Sequence, residues 1–142
     1  MSFRVRPAEP GDAEPLTRLA EAVSAEPEGW LISTGGEWRS AGEERRYLKA
    51  LRRYPHAAVY VAEREDGSLV GRLSVARDAH PASAHVADLG LMVAVDARRQ
   101  GVGRALLEAA VEWAGEAGIR KLVFSSSAAK VGSLCLHRSI TA

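Results

Sequence analysis

Two periods of hydrophobic recurrence run along this chain and mark out its elements. "FRVR" (3–6) alternates apolar and basic residues, as a half-buried strand does, and "PAEPGD" interrupts it. Leu16, Leu19, Ala20 and Val23 then recur at steps of three and four, which predicts a helix with Asp12 at its N-cap. A loop punctuated by Pro and Gly, "EPEGWLISTGG" (26–36), carries Trp30. Ser40 and Glu43 form a capping box for a second helix, whose apolar stripe is Tyr47, Leu48 and Leu51. The basic residues of "EERRYLKALRRY" read as the solvated face of that helix.

After Pro55 the period shortens to two. "AAVYVAERED" and "GSLVGRLSVARD" read as two strands joined by a tight turn at Asp66-Gly67. "HVADLGLMVAV" (85–95) is apolar nearly throughout, as expected of a central strand. Val102, Leu106, Ala109, Ala110 and Trp113 share one face of a helix predicted over 102–117, and Gly118 is placed to end it. "RKLVFSS" (120–126) predicts a strand. "AAKVGSLCLHRS" (128–139) predicts a short last helix, with Val131, Leu134, Cys135 and Arg138 on one side. The order β-α-α-β-β-β-α-β-α defines an α/β (α+β) chain with a mixed, mostly antiparallel central sheet flanked by helices.

Composition narrows the function classes. The 142 residues fit one domain spanning 1–142, with no repeat or linker to divide it. A net charge of +1 gives no overall basic field, so no nucleic-acid partner is expected. No segment approaches the roughly 20 apolar residues that cross a membrane, nothing at the N-terminus resembles a signal peptide, and the cytoplasm is the default location. Cys135 stands alone and reads as a small hydrophobe rather than a nucleophile. The four histidines show no metal-ligand spacing, so no metal site is expected.

The stretch "RRQGVGRALL" (98–107) carries the chemistry. It lies between the C-terminal end of an apolar strand and the start of a long helix, where unpaired N–H groups and the helix dipole favour an anion. Gly101 and Gly103 remove the Cβ atoms that would hold a ligand off, and Arg98, Arg99 and Arg104 add positive charge. A P-loop requires Lys-Ser/Thr where Arg104-Ala105 stands. A dinucleotide fingerprint requires glycine at Leu106.

What remains, Arg98-x-x-Gly101-x-Gly103 within "LMVAVDARRQGVGRALLEAAVEWA" (91–114), resembles the acetyl-CoA motif of the GCN5-related N-acetyltransferases. "FRVRPAEPGDAEPL" is similar to that family's first strand and helix, and "VYVAEREDGSLVGRLSV" to its second and third strands. The resemblance implies a GNAT-like acyl-CoA acyltransferase fold and an acetyl-CoA-dependent transfer of acetyl to a primary amine of a small molecule or protein. It implies that the backbone of Arg99, Gln100, Gly101, Val102, Gly103 and Arg104 holds the pyrophosphate of coenzyme A. Leu91, Met92 and Val93 would pair with the pantetheine arm as an added strand, and an N–H near Met92 or Val93 would polarise the thioester carbonyl. A strand bulge opens the cofactor cleft in this family, and Gly90 is its candidate position.

Acid–base residues are less well marked. Asp88 and Glu63 are the candidate general bases. Aligning the family's N-x-x-A-x-x-L-Y pattern places Lys130 at the asparagine, Ser133 at the alanine, Leu136 at the leucine and His137 at the proton-donating tyrosine. The two departures, at 130 and 137, favour an alternative, a non-catalytic acyl-CoA-binding or regulatory domain on the same fold. The resemblance places the acceptor pocket near the loop bearing Trp30 and Trp38, and acceptor choice in loops 24–40 and 76–86. The C-terminal strands of the family are expected to be missing after "LHRSITA", which leaves an exposed sheet edge. A second subunit, giving a homodimer, would cover it; an altered or truncated C-terminal segment is the other explanation.

Overall fold

The computed structural model describes residues 2–25, 40–124 and 132–135. Its strands are β1 (Phe3–Pro7), β2 (Ala57–Arg64), β3 (Leu69–Arg77), β4 (Val86–Val93), β5 (Lys121–Phe124) and β6 (Gly132–Cys135). Its α-helices are α1 (Ala13–Ser24), α2 (Ala41–Leu51) and α3 (Val102–Ala117). The strands form one sheet in chain order, antiparallel throughout except for the parallel pair β4–β5. The α/β class and the mixed sheet flanked by helices follow the sequence reading.

Alternation along the strands divides the core in two. Val59, Val61 and Met92 face α1 and α2, meeting Leu16, Leu19, Ala20, Val23 and Leu48. Leu73, Val75, Leu89 and Leu122 face α3, meeting Val102, Leu106, Ala110 and Ala114. The apolar stripe anticipated for α1 is the buried one, and of that anticipated for α2 Leu48 is buried while Tyr47 and Leu51 are half-buried.

Local signals end the elements as their chemistry requires. Ser40 Oγ accepts from the Glu43 N–H at 3.2 Å, which caps α2. Gly67 adopts φ +87° in the β2–β3 turn, and Asp66 accepts from the Ser68 N–H at 2.9 Å. Gly118 takes φ +76° just after α3. Asp12 precedes α1 but makes no side-chain cap there. Its carboxylate instead accepts from the Glu9 N–H and binds both guanidinium NH groups of Arg6, at 2.8 and 2.9 Å.

The C-terminal part departs from expectation. The helix predicted over 128–139 is replaced at 132–135 by β6, antiparallel to β5 with Leu122 opposite Leu134. Gly132, Ser133 and Cys135 are weak helix formers, and the free ladder of β5 offers the segment backbone partners that a lone short helix lacks. The outer edge of β5, expected to be open, is thus filled by the chain itself.

Candidate functional site

The described part of β5 pairs with the first half of β4, and the peptide groups of β4 beyond that pairing frame the candidate site. The Ala94 N–H donates to the Val70 carbonyl at 2.8 Å and the Asp78 N–H to the Val86 carbonyl at 2.9 Å. Even-numbered positions of β4 therefore turn their peptide groups to β3. Odd-numbered positions turn theirs toward β5, as the bond from the Lys121 N–H to the His85 carbonyl at 3.1 Å agrees. The register with β5 ends at Leu89 opposite Phe124. Leu91 and Val93 consequently present their peptide groups to a side where no described strand pairs with them.

This parity sorts the three strand residues named from sequence. Leu91 turns both its N–H and its carbonyl to that side, and Val93 its N–H, the Val93 carbonyl being bonded by Arg98 Nε. Met92 does not: its peptide belongs to the ladder opposite Arg72, and its side chain is buried beneath α1 and α2. Gly90 carries no bulge, since it sits opposite Ser74 in an unbroken β3–β4 register. The sheet's irregularity lies between Ala62 and Glu63 instead.

From Val93 the chain passes through a 3-10 turn at Val95–Ala97 into the glycine loop. Arg98 Nε donates to the Val93 carbonyl at 3.1 Å, and Gln100 Nε2 donates to the Asp96 carbonyl at 3.1 Å. Arg64 pairs with Asp96 at 3.2 Å and ties the loop to the β2–β3 hairpin. Arg98 and Gln100, two of the expected cofactor-binding residues, thus use their side chains to hold the loop to itself. Arg99 adopts φ +63° and Gly101 φ +86°. Arg99 is the only non-glycine residue with positive φ among those described, and such strain gathers where a backbone is shaped for a ligand.

At the start of α3 the Ala105 N–H bonds the Gly101 carbonyl at 3.0 Å, so the N–H groups of Val102, Gly103 and Arg104 precede the helical ladder. A Cβ on Gly101 would meet nothing within 4 Å. A Cβ on Gly103 would lie 3.7 Å from Leu91 Cδ2 and 3.9 Å from Val93 Cγ2, so the first turn of α3 faces the side chains of the same two strand residues. Arg99 and Arg104 are exposed beside it. Helix and strand approach closely because β3 carries Gly71 beneath them. A Cβ there would lie 2.9 Å from both Leu106 Cδ1 and Val102 Cγ1.

Asp88 lies on the α1/α2 face of β4 and is exposed, with Ala76 and Val123 as its cross-strand neighbours. Glu63 is committed elsewhere. Arg4 Nε reaches it at 3.1 Å and Arg6 NH2 at 3.2 Å, and these hydrogen bonds, Arg6 first, hold its carboxyl below the ordinary range. That position two strands from β4 removes Glu63 as a base. Lys130, Leu136, His137, Trp30 and Trp38 lie outside the described residues. Ser133 lies on β6, not on a helix.

One buried pair was missed from sequence. Glu44 of α2 and Arg72 of β3 are 0% and 3% exposed, with Arg72 Nε 3.0 Å from Glu44 Oε2 and Arg72 NH2 3.3 Å from Oε1. Arg72 is cross-strand from Met92, so the pair seats α2 beside the strand that forms the cleft. The signal was present: Glu44 stands in line with Leu48 and Leu51 at helical spacing, on the stripe that must be buried.

Comparison with known proteins agrees with this geometry. The model of the acetyltransferase (GNAT) family matches residues 18–137. An acetyltransferase of the GNAT family from Streptococcus pneumoniae is 25% identical with a TM-score of 0.75, covering 86% of this chain and 73% of that one. A GCN5-related N-acetyltransferase from Kribbella flavida is 31% identical with a TM-score of 0.66, over 86% and 70% of the two chains. A phosphinothricin acetyltransferase from Sinorhizobium meliloti, solved with acetyl-CoA, shares the fold at 21% identity and a TM-score of 0.71, over 88% and 67%. No curated protein matches the chain in sequence. Among the described residues no helix is long and apolar enough to cross a membrane.

Proposed function

Because the chain belongs to the acetyltransferase (GNAT) family, as an N-acetyltransferase with acetyl-CoA as cosubstrate, we propose that it acetylates a primary amine by direct transfer. The pyrophosphate of the cosubstrate lies on the N–H groups from Arg99 to Arg104, in the space that glycine leaves at 101. The pantetheine arm lies along the peptide groups of Leu91 and Val93 that face away from β3. The observation that supports this reading best is that a Cβ on Gly103 would come into van der Waals range of both residues, which sets the start of α3 directly beside that strand edge. When bound, the thioester supplies an activated acyl carbon.

The residues of the chain then divide the remaining work. The N–H of Leu91, turned away from β3 and farther from the phosphate loop than Val93, is the donor placed for a developing negative charge on the acyl oxygen. Asp88, three residues or about 10 Å along β4 from Leu91, accepts through bridging water the proton that the ammonium form of the acceptor must lose before its nitrogen can attack. The new bond joins nitrogen to the acyl carbon, the carbon–sulfur bond breaks, and a proton donor serves the leaving thiolate. His137 is assigned that role on the chemistry of imidazole, which donates near neutral pH. The acceptor is a small-molecule or protein amine, reached from the α1/α2 face on which Asp88 stands.

Acetyl-CoA at 100 times its Kd should stabilise the protein by about 2.7 kcal/mol in a thermal melt. Thiol release should follow with a panel of primary amines. Gly103→Arg should fold normally and lose the shift, since its Cβ has only ordinary contacts while its side chain must enter the cleft. Unchanged affinity in that variant would refute the placement. Asp88→Asn should keep the thermal shift and lose turnover. Binding without thiol release from any amine would select the non-catalytic alternative.

A further inference from the structure

Helix α2 carries a charge distribution that the transfer reaction does not use. Arg45, Arg46, Lys49, Arg52 and Arg53 are all exposed. The chain continues the helical turn past Leu51, with the Arg52 N–H bonded to the Lys49 carbonyl and the Arg53 N–H to the Ala50 carbonyl. At 100° per residue the five cations fill one arc of about 120°, opposite the buried Glu44 and Leu48. Among the described residues none of the five has an ion-pair or hydrogen-bond partner. Arg4, Arg6, Arg64 and Arg72, by contrast, all face carboxylates.

The arrangement works against the helix that bears it. Lys49 has like-charged neighbours three or four residues away on both sides, at 45, 46, 52 and 53, and each such pair is repulsive. Cations near the C-terminal end gain from the helix dipole, but Arg45 and Arg46 lie in its N-terminal half and do not. Arg46, Lys49, Arg52 and Arg53 also line a solvent-open concavity of about 460 Å³. Four of the five are arginine, whose planar fork matches carboxylates in pairs.

We propose that this face docks an acidic segment of a polypeptide acceptor, which rests on the reading of the protein as an amine acetyltransferase. α2 and Asp88 are on the same face of the sheet. The helix begins over β3, at the Glu44–Arg72 pair, and ends where Leu51 and Arg52 meet Ala57–Tyr60 at the outer strands. β2 and β4 are two strand spacings apart, about 10 Å. An extended peptide with its amine near Asp88 therefore reaches the basic face within about three to five residues. A net charge of +1 and a patch confined to one short helix suit an acidic peptide better than a nucleic acid, whose long phosphate run would also meet the carboxylates elsewhere on the surface.

The test uses the full chain loaded with acetyl-CoA and fluorescent peptides that share an amine-bearing start but end in glutamates or glutamines. The glutamate peptide should bind at least tenfold more tightly, and the preference should fade as salt is raised. Arg45→Gln/Lys49→Gln/Arg52→Gln should erase the preference and raise KM for the glutamate peptide about tenfold, with kcat unchanged. That variant should keep the wild-type thermal shift with acetyl-CoA, which shows that it folds. Equal affinity for the two peptides would overturn the proposal, as would tighter binding of a single-stranded RNA of equal charge. If the glutamate preference holds but no amine is acetylated, the transfer reading fails and the acidic-peptide surface stands.

Discussion

Arg98 donates its Nε–H to the carbonyl of Val93 at 3.1 Å, closing the loop between β4 and α3 on the strand residue that lines the cleft. Its guanidinium therefore shapes the cradle as well as charging it. Arg98→Ala should weaken acetyl-CoA about tenfold, the scale of one charged hydrogen bond. Arg98→Lys should restore charge without the Nε donor and recover little of the loss. Calorimetric titration of the two variants separates geometry from charge.

Gly101 and Arg99 both occupy left-handed backbone, and they should respond oppositely to substitution. Gly101→Ala introduces strain of about 1–2 kcal/mol and places a methyl in the open space assigned to phosphate. Its loss of acetyl-CoA affinity should exceed its loss of stability. Arg99→Gly relieves strain and should leave stability unchanged or raised by up to about 1 kcal/mol. Chemical denaturation alongside ligand titration measures both.

Gly71 admits α3 to the sheet. Gly71→Ala should cost about 1–3 kcal/mol through overpacking against Leu106 and Val102. It should also lower acetyl-CoA affinity, because displacement of Val102 displaces the first turn of the helix. Adding Val102→Ala makes room for the methyl and should recover part of both losses in the double variant. A purely additive pair would show that the contact is not responsible.

The Glu44–Arg72 pair is buried on both sides, so removing one member takes from the other's buried charge its ion-pair partner. Arg72→Met or Glu44→Leu alone should destabilise by about 3–5 kcal/mol. The two together should cost much less than their sum. A double-mutant cycle in urea gives the coupling, and additivity would argue against it.

Acid should loosen the β1–α1 corner first. Burial opposes the charge on Asp12, but hydrogen bonds from Arg6 and the Glu9 N–H outweigh it and hold its carboxyl below the ordinary range. A carboxyl depressed in the folded state contributes fully above its unfolded pKa, and that contribution is lost as pH falls through the folded value. Stability should therefore fall below about pH 4. Asp12→Asn should be less stable at pH 7 and show a shallower decline on acidification. A parallel decline would place the sensitivity elsewhere.

Periodicity made most of the fold legible. The stripe of α1, the cap of α2, the Asp66-Gly67 turn and the span of α3 all depend on residues close in sequence, where local sterics and hydrogen bonding decide the outcome. The glycine loop was legible for the same reason: a strand end, two glycines and a helix start lie within a few residues. The segment at 132–135 was not, because a weak helical pattern yields to a strand edge contributed by β5, and no local rule reports that edge.

The same division runs through the site. The order of residues from Leu91 to Arg104 already carried the reading of an anion cradle proposed above, since its donors belong to consecutive peptide groups. Which of Leu91, Met92 and Val93 turn their peptide groups away from β3 was decided by hydrogen-bond parity, a property of the assembled sheet. Glu63 looked as available as Asp88 until β1 brought Arg4 and Arg6 against it. Glu44 and Arg72 are far apart in the chain, and only packing of α2 on β3 makes them a pair. Short-range chemistry is written along the chain, whereas competition for partners is settled when distant segments meet.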